Sequence, residues 1–132
     1  MTKQFKEVDG TLIVDIDGTI CDIKTAKQSY AEVLPKQDMI NKLREYQQNG
    51  YRILLFTSRN MNTYNNSLGQ INKHTAPLLI DWLAKWDVPY DEILFGKPWA
   101  RKKGFYIDDR AIRPDEFLRM SEDEIQRALG QE

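Results

Sequence analysis

The sequence predicts an α/β domain, a single three-layer sandwich around a mainly parallel central sheet. Three observations lead there. Short apolar runs alternate with segments whose apolar residues recur at helical spacing. The apolar runs end in polar, chemistry-bearing residues, as strands do where an open α/β sheet collects its ligands. The chain of 132 residues, 41% hydrophobic and 30% charged, is long enough to bury one core and too short for two domains, so residues 1–132 are expected to form one.

Element by element, Leu12-Ile13-Val14 forms the first strand and runs into Asp15-Ile16-Asp17-Gly18-Thr19. Cys21 to Leu34 has no clean period and reads as an irregular excursion or small hairpin. Pro35 then opens a helix with an apolar stripe of Met39, Ile40, Leu43 and Tyr46, and Asn49-Gly50 supplies its left-handed stop. Tyr51 to Phe56 is nearly continuously apolar, as a central parallel strand should be, and ends in Thr57-Ser58-Arg59-Asn60.

Asn60 to Gly69 is polar and aperiodic, an exposed loop at the same sheet edge as the acids. Leu79, Trp82, Leu83 and Trp86 mark a helix capped by Thr75 with Pro77 in its first turn, the tryptophans facing the core. Two short strands follow, Glu92 to Phe95 and Gly104 to Ile107, ending in Gly96-Lys97-Pro98 and Asp108-Asp109-Arg110. Ser121-Glu122-Asp123-Glu124 fits a capping box, with Ile125, Ala128 and Leu129 on one face of the last helix.

The candidate site sits at those strand ends. Side chains two apart on a strand share a face, so Asp15 and Asp17 emerge together at its carboxyl end. Gly18 permits a sharp turn and the Thr19 hydroxyl can brace it. A plain turn would use the same residue types. A calcium loop is the other reading of Asp-x-Asp-Gly, but position 12 counted from Asp15 is Ala26 rather than Glu, and a strand precedes the motif.

Across the strand ends, Asp-x-Asp, Thr57-Ser58, Lys97 and Asp108-Asp109 form a set suited to a phosphomonoester. A carboxylate attacking a phosphate dianion needs positive charge nearby. Lys97 supplies some, and Thr57 with its neighbouring N–H groups can donate to phosphoryl oxygens. A cluster of acids is tolerable around a cation, and Mg2+ is the hard, oxygen-seeking ion that suits it. No His or Cys cluster suggests zinc.

With those residues in view, the chain resembles the haloacid dehalogenase superfamily of phosphotransferases. Its four motifs match in order: Asp15 to Thr19, Thr57, Lys97 and Asp108-Asp109. The stretches Thr57 to Tyr64, Val88 to Leu94, Gly96 to Trp99 and Tyr106 to Pro114 look like the short phosphatases of bacterial capsular polysaccharide biosynthesis. The resemblance implies a Rossmann-like core in which Asp15 is the nucleophile and Asp17 the acid and base. It also implies Mg2+ held by Asp15, the main-chain carbonyl of Asp17 and Asp108, with substrate contacts from Gly18, Thr57, Ser58 and Lys97. Asp109 is either a water-mediated metal ligand or a partner of Lys97.

Within that superfamily a cap domain often follows the first motif or precedes the third. Here 39 residues separate Asp17 from Thr57 and 39 separate Thr57 from Lys97. Each interval already holds a helix and part of a strand, whereas a cap needs roughly 50 residues of its own. No separate cap is expected. The site would then be open unless a second subunit or the Asn60 to Gly69 loop covers it, and homo-oligomerisation stays open.

The expected partner is a small phosphorylated metabolite: a sugar, polyol or amino-alcohol phosphate. A formal charge of -1 gives no basis for a nucleic-acid or anionic-membrane partner. One cysteine excludes an internal disulfide. The polar stretch Met1 to Glu7 and the lack of a membrane-length apolar run predict a cytoplasmic protein.

Two rival functions use similar parts. A response-regulator receiver would place its acidic pair first and its Lys last, whereas here Lys97 precedes Asp108-Asp109. A non-catalytic phospho-binding or interaction protein on the same fold would not need four competent motifs. A phosphotransferase using another acceptor than water is compatible with every residue. Beside the motifs, Arg59 is expected to pair with an acid, and His74 to serve at the surface or as a cap. Cys21 is expected to pack, while Trp99 could stack on a sugar or cover a strand end.

Overall fold

A computed structural model describes residues 8–130. The polar segment Met1 to Glu7 lies outside them. The chain divides into two compact units, one ending at Trp99 and the other beginning at Ala100.

In the first unit, strands β1 (Thr11–Val14), β2 (Arg52–Thr57) and β3 (Glu92–Phe95) form a parallel sheet in the order β1-β2-β3. β2 is the central strand. It carries Ile53, Leu55 and Thr57 into the core, each fully buried. Register pairs Val14 with Leu55 and Thr57 with Phe95, so the three strands deliver their following residues to one edge. β3 is pinned at its start by Asp91, whose amide donates to the Ile53 carbonyl at 2.8 Å while its carboxylate accepts from the Ile53 amide at 2.8 Å.

Helix α1 (Gln37–Gln48) buries the stripe Met39, Ile40, Leu43 and Tyr46 and stops at Gly50, whose φ of 103° is the left-handed value a side chain resists. Pro35 stands just ahead of the helix rather than inside it, with Lys36 at the cap. The stretch between Cys21 and Leu34 is irregular apart from a single 3-10 turn at Tyr30–Glu32. It is anchored by the Trp82 indole, which donates to the Val33 carbonyl at 3.0 Å.

Two helices occupy the stretch before β3. Helix α2 (Leu68–His74) begins where an exposed loop was expected to end, with the Ser67 hydroxyl accepting from the Gln70 amide. It buries only Ile71, so its sequence carries almost no periodic signal. Helix α3 (Ala76–Lys85) continues from it through Thr75, which stays in the helical region. Thr75 is no side-chain cap: its hydroxyl donates instead to Asn60 at 2.8 Å. Leu79, Trp82 and Leu83 are buried as the periodicity predicted, while Trp86 is half-buried.

The second unit contains α4 (Pro114–Arg119) and α5 (Glu122–Ala128). The capping box is present, the Ser121 hydroxyl accepting from the Glu124 amide at 3.2 Å and the Glu124 carboxylate from the Ser121 amide at 3.0 Å. Ile125 is buried there and Ala128 is exposed. The strand expected at Gly104 to Ile107 does not form. Its apolar residues are exposed, Ile107 by 89%, so a β-prone run that buries no face stays irregular.

Candidate functional site

The parallel sheet brings three polar turns together at the carboxyl ends of its strands. After β1, Ile16 turns into the core with no exposed area, while Asp15 and Asp17 stay half-buried on the other side. Gly18 makes the turn with φ of 83°, a value that strains any residue with a Cβ. The amides of Thr19, Ile20 and Cys21 all donate to the Ile16 carbonyl, closing a tight loop. The Thr19 hydroxyl donates to one Asp15 carboxylate oxygen at 3.3 Å.

The end of β2 provides Thr57, fully buried, whose hydroxyl accepts from the Arg59 amide at 3.1 Å. Its carbonyl accepts from the Lys97 amide at 3.1 Å, which fixes the Lys97 backbone beside it. Lys97 then places its ammonium 3.5 Å from Asp15. Six of the sequence-predicted residues, Asp15, Asp17, Gly18, Thr57, Ser58 and Lys97, thus belong to turns that share one edge.

Asp17 has a different partner. The Arg59 guanidinium grips both of its oxygens, Nη2 to Oδ1 at 2.8 Å and Nε to Oδ2 at 3.2 Å. Such a fork is the strongest geometry an ion pair adopts. The Arg59 side chain is only 2% exposed and lies 4.2 Å from the Tyr30 ring centroid. Arg59 was expected to pair with an acid, but the sequence could not say that the acid is Asp17 or that Tyr30 supports the pair. The only hint was the Ser58-Arg59 step directly after a buried strand.

Cys21 completes this cluster, its thiol lying 3.6 Å from Asp17 Oδ1 and 3.7 Å from the Ile16 carbonyl. Burial pushes the thiol up from 9.0 to about 12; the Asp17 charge adds to this and Arg59 opposes it. Burial and Asp17 also raise the Tyr30 phenol. The stability that goes with neutral Cys21 is therefore complete below pH 9 and is lost as pH climbs from 9 to 12, because the unfolded chain releases the proton first. In denaturant titrations across that window, Cys21→Ala should lose stability with a shallower slope than wild type. An identical slope would remove Cys21 as a source of alkaline sensitivity.

Beside Asp17 opens a cavity of about 330 Å3, lined by Asp17, Ser58 and Arg59 together with Lys24, Tyr30 and Trp99. Asp15, Thr57 and Lys97 do not line it. The loop from Asn60 contributes to its wall through Asn62 and Thr63. That loop is held by the Asn60 amide, which donates to the Thr63 hydroxyl at 3.1 Å. Asn60, Asn65 and Asn66 all take left-handed backbone conformations, which asparagine tolerates better than most residues.

Asp108 and Asp109 belong to the second unit and are exposed. Asp108 accepts from the Arg110 amide at 2.9 Å, an Asx-type turn. Among the described residues no three His, Cys, Asp or Glu side chains converge to hold a metal. His74 ends α2, stacked on Tyr64 with ring centroids 5.5 Å apart and hydrogen-bonded to Gln70, consistent with a surface role.

Comparison with solved structures places this arrangement in context. A crystal structure of a structural-genomics target from Vibrio cholerae superposes with a TM-score of 0.87 at 51% identity, over 92% of this chain and 97% of that one. The chain belongs to the same family as that Vibrio protein. The two chains share this fold over nearly their full length. A chain of the Pnkp1/Rnl/Hen1 complex matches at 22% identity and a TM-score of 0.46, over 89% of this chain and 39% of that one. No protein-family model and no curated protein matches. No described helix is long and apolar enough to cross a membrane.

Proposed function

We propose that the chain is a magnesium-dependent phosphomonoester hydrolase of the haloacid dehalogenase type, working through an aspartyl-phosphate at Asp15. The observation that carries this reading is the Asp15 carboxylate at the carboxyl edge of a parallel sheet, 3.5 Å from Lys97 and hydrogen-bonded by Thr19. A nucleophile held by two donors and accompanied by a cation is arranged to meet a phosphate dianion.

In this reading Asp15 attacks phosphorus, the ester oxygen departs, and water later displaces the phosphoryl group from Asp15. Lys97 offsets negative charge on the approaching phosphate and holds the Asp15 carboxylate in place. Asp17, both oxygens accepting from Arg59, is set as the proton acceptor for the attacking water. Its other task, protonating the leaving oxygen, requires the Arg59 fork to loosen when the ester binds. The buried Thr57 carbonyl and hydroxyl keep Lys97 and the Ser58-Arg59 turn in register.

The donor chemistry suits magnesium. Its sites commonly use one or two carboxylates and fill the remaining positions with substrate phosphate and water, so convergence of three acids is not required. Asp15 and the main-chain carbonyl of Asp17 would hold it, and the resemblance adds Asp108. When bound, the ion supplies charge neutralisation and a template for the phosphate. By the same resemblance, the substrate is a small phosphorylated precursor of capsular or surface polysaccharide.

The test is phosphate release from sugar, polyol and amino-alcohol phosphates, with magnesium and with a chelator. Magnesium-dependent release supports the proposal, whereas release unaffected by the chelator removes the metal from it.

A further inference from the structure

We propose that the cavity beside Asp17 is the leaving-group site, and that it takes a monosaccharide-sized, polyhydroxylated group bearing a carboxylate or another anionic substituent against Lys24. The inference rests on the phosphatase reading and deepens it.

Size sets the first limit. About 330 Å3 stands at the small end of ligand cavities, which run from about 300 to 1,000 Å3. That volume holds about one sugar unit.

Charge sets the second. Three charged side chains line the cavity: Asp17, Arg59 and Lys24. Arg59 and Asp17 satisfy each other through the two-bond fork, so together they leave no net charge for a ligand. Lys24 is half-buried and makes no ion pair among the described residues. Its ammonium donates to the Thr25 carbonyl at 3.2 Å and lies 5.5 Å from the Tyr30 ring centroid. An ammonium has three donors, so this main-chain bond leaves capacity for a ligand oxygen. The cavity is therefore cationic by one charge. An amino-alcohol leaving group would bring a like charge to Lys24, and an acidic one would meet an opposite charge.

Chemistry of the wall sets the third. The Thr63 hydroxyl accepts from Asn60 and so retains its own proton for donation. The Ser58 hydroxyl and the Asn62 amide add small polar groups of the kind that bind sugar hydroxyls, and the Trp99 indole, 41% exposed, offers a flat apolar face. Asp15, Lys97 and Thr57, which would handle the transferred phosphate, do not line this space. Lys24 is thus left to a second acidic group.

Matched esters differing in one substituent test this. Glucose 1-phosphate and glucuronic acid 1-phosphate share a ring, and sorbitol 6-phosphate and 6-phosphogluconate share an open chain. Wild type should favour the acidic member of at least one pair by about tenfold in kcat/KM, the usual scale of a charge-assisted hydrogen bond. Lys24→Met should shrink that ratio to within about twofold, and Lys24→Glu should reverse it. Reading the ratio within each variant cancels any general loss of folded protein. No preference in either pair, or the same preference in Lys24→Met, overturns the assignment. Equal loss on acidic and neutral esters would also overturn it, since Lys24 would then be serving the reacting phosphate. An aryl phosphate control separates the two levels: turnover of it without any acid preference overturns this inference alone. No turnover of any ester overturns the phosphatase reading and this inference with it.

Discussion

Replacing Asp15 by Asn should lower phosphomonoester turnover by about three orders of magnitude or more, as removal of a covalent nucleophile does in comparable catalytic sets. The amide is nearly isosteric and can still accept from Thr19, but it cannot attack phosphorus. The fold should survive. The Asp15 carboxylate is 35% exposed and its pairing with Lys97 spans 3.5 Å, so losing that contact should cost no more than about 1 kcal/mol. Phosphate release and denaturant unfolding measured on the same preparation separate the two effects. Wild-type turnover in Asp15→Asn would show that another residue forms the covalent bond or that none does.

The second large effect is expected at Arg59. Its guanidinium is almost fully enclosed, clamps both Asp17 oxygens and lies over Tyr30. Arg59→Leu strands the Asp17 carboxylate beside the Cys21 thiol and the Tyr30 ring. Breaking a buried pair by removing one partner usually costs about 3–5 kcal/mol, and the partial exposure of Asp17 reduces this to about 2–4 kcal/mol. Arg59→Lys keeps the charge but not the fork, and should fall between Leu and wild type. A double-mutant cycle with Asp17→Asn should return a coupling of about 1–3 kcal/mol. Additive effects in that cycle would mean that Arg59 stabilises the fold through Tyr30 and its packing alone. Turnover should fall in Arg59→Leu beyond what the lost stability explains, because Asp17 would no longer be oriented.

Legibility in the sequence followed the strength of the local signal. β2 was readable because four consecutive apolar residues, Ile53 to Phe56, leave few alternatives to a central strand, and α1 because four buried residues recur at a single helical stripe. α5 announced itself through its capping box. In contrast, α2 buries one residue in seven and has a polar, asparagine-bearing sequence, so its pattern is indistinguishable from loop. Gly104 to Ile107 failed in the opposite direction. Its composition favours a strand, but composition does not decide whether the run finds a core to bury its apolar side chains against, and here they stay exposed.

The site shows the same division. Asp15, Asp17 and Gly18 could be placed from spacing alone, since alternation along a strand and a left-handed glycine are local properties. The Lys97 contact with Asp15 spans most of the first unit in sequence and needed the parallel register of three strands. Arg59 reaching Asp17 needs the pairing of β1 with β2, and Lys24 meeting Trp99 at one cavity depends on the irregular segment after Cys21, whose course no periodicity announces.

The most direct test of the central claim is to find the phosphoryl group on the protein. Wild type mixed with a turned-over ester and magnesium, quenched in acid within a turnover and reduced with borohydride, should show one modified peptide, that containing Asp15, and none in Asp15→Asn. Sustained phosphate release with the modification on a peptide lacking Asp15 would contradict the account.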